Sequence, residues 1–492
     1  MKQNSVRKNA ILNIIYTISN LIFPVIIYPY ITRVLSVNGM GKISFFSSIA
    51  SYSVMLSSFG ISTYGIREVA KSNNNKKQLS VIVSQLLVIN LMITLLVVAG
   101  LLILYFSIKR FYNEPVLFFL NVLLVLFTPF GLNWFYSGIE HYSYITIRNV
   151  FLKMILIPFV FILIRNQADY LKYAALTISS SIISFSCNYL YAKKFVIFYL
   201  PKTLDLKKHI KPMKYLFASN LAVSIYTNLD IVMLGIINGD REAGLYSIAS
   251  KIKWILLAIV NAISSVLLPR LSNYYENGEL EQYNNALNKS LSIVFSITVP
   301  MAVFFAEESF NCIIILAGKE YESAVLCMQI LMPILVVSGF SNVIGNQILI
   351  PQSRDSQFMG AVVTGAGIDI IFNILLIQKF GCIGAAIATL VAELSQMSIQ
   401  FSFSGDYIYK NIDKMDIGKI IISTSTAYII TNLVQNYIKW NSFTSLIIDT
   451  VIFFLVYILL MISLKGKCFT DMIRFLRNKG LKLCRNNSQS KC

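Results

Sequence analysis

GKISFFSSIAS (residues 41–51) returns as GLYSIASKIKW (residues 244–254). The two strings stand 203 residues apart, which sets Gly41 on Gly244, Ser44 on Ser247 and, further out, Arg67 on Arg270. The same offset aligns residues 10–70 with 213–273 without a gap. Each copy reads as a long apolar run, a turn marked by Asn-Gly (Asn38-Gly39, Asn238-Gly239), a Ser-rich apolar run and a closing Arg. Downstream the offset drifts to 211–213, so that Asn133 falls on Asn346 and YAALTISSSI (173–182) on GAAIATLVAE (384–393). The chain is a duplication, and its unit is a set of apolar runs.

A helix needs about 20 apolar residues to cross the hydrocarbon layer. Fourteen stretches qualify: 9–33, 43–63, 79–107, 115–136, 145–164, 170–192, 215–237, 245–268, 287–306, 323–348, 358–378, 382–403, 417–437 and 443–464. Continuous runs mean helices, since the strands of a membrane barrel alternate apolar and polar residues. Composition agrees. The chain has 492 residues, 56% hydrophobic and 13% charged, where a soluble domain carries about 25% charged. This excludes a soluble enzyme, a disordered chain and a disulfide scaffold. Lys2, Arg7 and Lys8 ahead of the first run mimic a signal peptide, but the run exceeds 20 residues without a small-residue cleavage site. It reads as a retained first span.

The net charge of +19 follows from orientation. With the N-terminus inside, 30 of the 42 Lys and Arg fall on cytoplasmic segments, ten on outer segments and two, Lys251 and Lys253, within a span. This is the positive-inside bias, and it predicts both termini cytoplasmic. The basic 193–214 loop and the tail face the anionic leaflet, and no nucleic-acid fold is evident. The seven cysteines (187, 312, 327, 382, 468, 484, 492) show no CxxC spacing, the two histidines (His141, His209) form no cluster, and no GxxxxGK[ST] loop is present. Disulfide, metal and ATPase roles are not expected, nor is an enzyme.

Six spans per copy is an even number, so both copies have the same orientation. The expected fold is all-α and polytopic: two parallel six-helix bundles around a central cavity, plus two C-terminal helices, which is a transporter architecture. The expected divisions are an N-terminal bundle (1–192), a basic cytoplasmic linker (193–214), a C-terminal bundle (215–403), and two extra helices with a basic tail (404–492).

Ionisable residues inside spans are costly and mark pathways or partners. They are Asp230, Lys251, Lys253, Asp369 and Glu393, with Arg33, Arg67 and Arg148 nearer span ends. Asp230 and Lys251 stand at similar depth on either side of the Asn238-Gly239 turn, which allows an ion pair. Asp369 and Asn373 are four apart and share a helix face, as do Thr389 and Glu393. Oxygen ligands at these spacings suit a small cation or a proton.

NWFYSGIEHYSYITIRN (133–149), FGISTYGIREVAK (59–71) and NLDIVMLGIINGDREAGLYSIASKIK (228–253) resemble the Wzx-type O-antigen and capsular repeat-unit flippases, within the multidrug/oligosaccharidyl-lipid/polysaccharide exporter superfamily. The resemblance covers about residues 5–465, with Ser137 standing where many relatives have Gln. It implies flipping of an undecaprenyl-diphosphate-linked oligosaccharide, for O-antigen or capsule, from the cytoplasmic to the outer leaflet of a bacterial inner membrane by alternating access. A lipid II flippase and a multidrug antiporter are the rival readings within the superfamily. It implies no cofactor beyond a coupling Na⁺ or H⁺, and as partners the lipid-linked oligosaccharide, membrane lipids, and a polymerase and chain-length regulator of the same pathway. Lys251, ahead of Lys253, then reads as a contact for the diphosphate, with Arg33, Arg67 and Arg148 adding charge from the span ends. The family's cation site draws on helices seven, eleven and twelve, and here Asp230, Asp369, Asn373 and Thr389 match by spacing, with Glu393 beside them. Tyr28, Tyr30 and Tyr136 are candidates for stacking on sugars.

Overall fold

The computed structural model describes residues 6–72, 75–199, 206–437 and 440–470. Lys2, Lys202, Cys484, Cys492 and the basic tail beyond residue 470 lie outside them. The described residues form helices and no strand. Their contacts divide into two compact units.

The first unit takes in Met1–Ser247, Leu316–Glu320 and Asn373–Cys382. Its helices are α1 (Val6–Ser58), α2 (Ile61–Ser72), α3 (Lys76–Ser107), α4 (Lys109–Asn113), α5 (Pro115–Phe127), α6 (Asn133–Gly138), α7 (Tyr142–Leu163), α8 (Tyr170–Ala192), α9 (Leu206–Ile237) and the start of α10 (Asp240–Glu276). The first two expected spans share α1, which reverses at Ser36 (φ 62°, ψ 170°) rather than at Asn38-Gly39. A single extended residue with positive φ interrupts the ladder of backbone hydrogen bonds, and no loop is needed. In the second repeat the reversal is at Gly239 (φ 93°), which is 203 residues on. Around these reversals the repeats touch reciprocally. A Cβ on Gly41 would overlap the Asp240 carbonyl, and one on Gly244, its repeat equivalent, would overlap the Val37 carbonyl. Only glycine admits such an approach.

The expected basic linker is partly helical, because α9 begins at Leu206. His209 and Met213, one turn apart, are buried in the first unit, while Lys208, Lys211 and Lys214 on the other faces are not. Tyr64 and Gln85 hydrogen-bond the two ring nitrogens of His209, each at 3.0 Å. His209, expected in a loop, is thus a packed residue.

The second unit takes in Ile248–Ile315, Tyr321–Phe372 and Ile383–Cys492. It holds the rest of α10, then α11 (Leu280–Glu307), most of α12 (Ser309–Ala317), α13 (Ala324–Leu331), α14 (Ile334–Asn342), α15 (Asp355–Asn411) apart from its Asn373–Cys382 stretch, which belongs to the first unit, α16 (Lys414–Tyr437) and α17 (Ser442–Ser463). A widened, π-helical stretch follows α14 at Val343–Leu349. It stands where the first repeat has a 3₁₀ turn (Thr128–Gly131) and Leu132 at φ 45°, so the fourth and tenth expected spans are both irregular. α15 covers two expected spans and reverses at Gly381 (φ 54°). The two C-terminal helices dock on α11: Phe453 packs 5.1 Å from Phe304, ring centre to ring centre, and the Tyr457 hydroxyl donates to the Ser296 carbonyl at 2.8 Å.

Among the described residues, ten helical segments are long and apolar enough to cross a membrane. α1 and α15 are among them and each contains two expected spans. α8 and α9 carry the remaining two. All fourteen expected spans therefore fall on helix, in a multi-pass membrane protein.

Candidate substrate and cation site

Asp230 sits on α9 with 3% of its surface exposed. The Tyr246 hydroxyl of α10 donates to its Oδ2, and Asn373 Nδ2 of α15 donates to its Oδ1 at 2.7 Å. Three helices of the first unit thus converge on one carboxylate. Asn373 is itself wholly buried, and its carbonyl oxygen has no hydrogen-bond partner among the described residues. A carboxylate and an amide oxygen gathered in an apolar span form an oxygen-rich locus suited to a small hard cation or a proton. Tyr246 carries no charge, so a scan for ionisable residues within spans passes over it.

Of the other expected cation ligands, Asp369 (0% exposed) lies one turn before Asn373 on α15, and Thr389 and Glu393 are also buried. The Thr389 hydroxyl donates to the Ala385 carbonyl at 2.9 Å. Glu393 lines a polar cavity of the second unit together with Asn261, Asn342, Asn346, Gln396 and Gln400.

The expected cationic contacts are distributed. Lys251 is half-buried on α10, and Lys253 is buried with its ammonium 5.3 Å from the Trp254 ring centre. Arg33 and Arg67 are exposed, and the helical stretch between Ser36 and Ser58 separates them, roughly 30 Å at about 1.5 Å per residue. They cannot touch one phosphate group together. Arg148 is half-buried on α7, fixed by a hydrogen bond to Asn188 Oδ1, with its guanidinium 5.6 Å from the Tyr144 ring centre. Asn188 in turn donates to Asn133 Oδ1 at 3.1 Å. Tyr136 is wholly buried and donates to the Asn188 carbonyl, so it packs inside the unit and presents no face for stacking on a sugar. The Tyr30 hydroxyl is engaged by the Ile164 carbonyl.

An apolar groove of about 400 Å³ opens in the second unit between α10, α11 and α17, lined by Leu256, Ile259, Met301, Phe305, Phe454 and Ile458 among others.

Solved structures with this fold define the class. The chain superposes on the lipid II flippase MurJ, in an inward closed conformation, with a TM-score of 0.73 at 17% identity over 94% of this chain and 99% of that one. A multidrug resistance MATE family transporter, in an inward-facing conformation, gives 0.58 at 11% identity over 80% and 95%. The fold is that of the multidrug/oligosaccharidyl-lipid/polysaccharide transporters, which are not enzymes. Within that class the chain belongs to the polysaccharide biosynthesis protein family, whose profile matches residues 6–275, more than half of its length; the MatE profile matches residues 216–375. A relative from Escherichia coli (strain K12), named "Putative O-antigen transporter", is 22% identical over 81% of this chain and 96% of its own. One from Haloferax volcanii, named "Probable low-salt glycan biosynthesis flippase Agl15", is 22% identical over 54% and 56%.

Proposed function

We propose that this protein flips an undecaprenyl-diphosphate-linked oligosaccharide repeat unit from the cytoplasmic to the outer leaflet of a bacterial inner membrane, by alternating access coupled to a cation. The observation that carries the coupling is the Asp230–Tyr246–Asn373 group, a carboxylate gathered by three helices inside the apolar layer. The cargo class is supported by the full-length relative named for O-antigen transport and by the apolar groove, which suits a prenyl chain at the bundle edge.

The working cycle uses what the sequence supplies. The diphosphate is met by Lys251 as a countercharge, while Lys253, two residues on, faces about 200° away. Release is expected to loosen the Gly41–Gly244 crossing, on the outer side in the expected topology. Moving negative charge outward is favoured by an inside-negative potential, about 2.3 kcal/mol per charge per 100 mV. A cation on Asp230 resets the empty carrier. A polymerase and a chain-length regulator act on the product in the same pathway.

Deleting the gene is expected to accumulate lipid-linked repeat units on the inner leaflet. Wild type restores export and Asp230→Ala does not, although it reaches the membrane. Unimpaired surface glycan in the deletion strain rules the cargo out; full export by Asp230→Ala rules out the coupling site.

A further inference from the structure

The polar cavity of the second unit has a volume of about 170 Å³, between α10, the α14 stretch and α15. That is room for a few waters at about 30 Å³ each, or for one sugar ring, and too small for a drug-sized ligand, which takes roughly 300 Å³ or more. Its wall carries five carboxamides, the Glu393 carboxylate and the Trp254 ring.

The carboxamides are ordered. Asn346 Nδ2 donates to Asn342 Oδ1 at 2.9 Å, and Asn342 Nδ2 donates to Asn261 Oδ1 at 2.7 Å. On the other side Gln396 Nε2 donates to Ser341 Oγ at 3.3 Å, and Ser341 Oγ donates to Gln400 Oε1 at 2.7 Å. The row ends in the Asn261 amide nitrogen and the Asn346 carbonyl oxygen. Gln400 is wholly buried, and its amide nitrogen has no hydrogen-bond partner among the described residues. A buried donor in that state is costly, and it points to a guest with an acceptor.

The duplication supplies an internal control. At the register of 203, Trp254 and Asn261 answer to Ser51 and Ser58; at 211, Glu393, Gln396 and Gln400 answer to Ile182, Phe185 and Tyr189. Asn346 has its like in Asn133 and, at an offset of 212, Gln400 has its like in Asn188, which donates to Asn133 in the first copy. Trp254, Asn261, Asn342, Glu393 and Gln396 have no such counterpart, so the fold does not need these five groups in both copies, which fits a binding role for them.

Carboxamides donate and accept at once, as sugar hydroxyls do, and an indole face covers the apolar side of a pyranose. A diphosphate would want several cations and a metal ion several carboxylates. We infer that this cavity is the glycan-reading subsite, taking one neutral pyranose between Trp254 and the Asn261–Asn342–Asn346 row; this rests on the flippase reading above.

The test measures binding to the full chain in nanodiscs. One probe is the lipid-linked repeat unit extracted from the deletion strain, the other bare undecaprenyl diphosphate. Wild type is expected to favour the glycan-bearing lipid. Trp254→Ala and Asn342→Ala each lose tenfold or more for it and stay within twofold for the bare lipid, and Trp254→Phe recovers most of the loss. Equal losses on both probes, or none on either, overturn the subsite, as does equal wild-type affinity for the two. A loss that added Na⁺ restores assigns the cavity to the cation instead. A wild-type protein that binds neither lipid sinks the flippase reading itself.

Discussion

Asp230 is held by two neutral donors, and each has a separable effect. The Tyr246 hydroxyl makes a charge-assisted bond to the carboxylate, of a kind that contributes about 1.5–3 kcal/mol. Tyr246→Phe removes that competitor, so on the proposed coupling role the carboxylate would hold a cation, Na⁺ or H⁺, more tightly. The half-saturating cation concentration for transport is expected to fall about tenfold in proteoliposomes, with slower turnover; Asp230→Asn should abolish cation dependence altogether. A midpoint unmoved by Tyr246→Phe removes Asp230 from the coupling path. Outside the spans, Asp169 completes the capping box of the 3₁₀ turn Gln167–Asp169 that leads into α8. Lys172 at 2.7 Å and the backbone N–H groups of Arg165 and Asn166 hold its carboxyl down at about 2, below the unfolded value near 3.9. A depressed carboxylate contributes stability above its unfolded pKa and loses it as pH falls through the folded one. The difference in thermal midpoint between wild type and Asp169→Ala should therefore be full at pH 7, shrink below about pH 4 and vanish near pH 2. A difference that is constant with pH would mean that the charge is irrelevant there.

Among the helices, the reciprocal crossing of Gly41 and Gly244 is the contact most sensitive to one added methyl. Gly41→Ala places a Cβ on the Asp240 carbonyl, and overpacking of this kind costs about 1–3 kcal/mol. The expected result is a loosening of this crossing by roughly tenfold or more, read as faster labelling of Val37→Cys, at a position only 1% exposed, by a membrane-impermeant maleimide in a cysteine-free background. Unchanged labelling would show that the crossing does not gate. The same region shows what was legible in the sequence. The offset of 203 placed the two reversals in register, at Ser36 and Gly239. The Asn-Gly dipeptides did not, because 38–39 and 238–239 differ by 200; only the second is a turn, and the first lies inside helix. Turn chemistry is local, whereas the position of a reversal is fixed by packing across the repeat. Span location was legible because each span is a continuous apolar run. The helix of residues 206–214 was less so, because its lysines mask the buried face that carries His209 and Met213. At the site, charge flagged Asp230, but its partners Tyr246 and Asn373 are neutral and meet it only through tertiary contact.

For the whole molecule, charge and helix count make one linked statement. Fourteen spans, an even number, would put both termini on the same side, and we propose from the 30-to-10 division of Lys and Arg that this side is the cytoplasm. Two parallel bundles of six would be complete without α16 and α17, and the MATE transporter fold covers only 80% of this chain where MurJ covers 94%. On that reading the extra pair adds no net inversion, and the basic tail is expected on the side of the other inner bases. A fusion of green fluorescent protein to the C-terminus is therefore expected to fluoresce, and an alkaline phosphatase fusion at the same point to be inactive. Removing α17 alone leaves thirteen spans and carries the fusion point across the membrane: phosphatase activity should then rise and fluorescence be lost. The tail's eight bases oppose that transfer, so removing them together with α17 should make the reversal more complete. Fluorescence retained in the α17 deletion would mean that the tail charges outweigh the span count, and active phosphatase on the intact chain would overturn the assignment of sides for every loop.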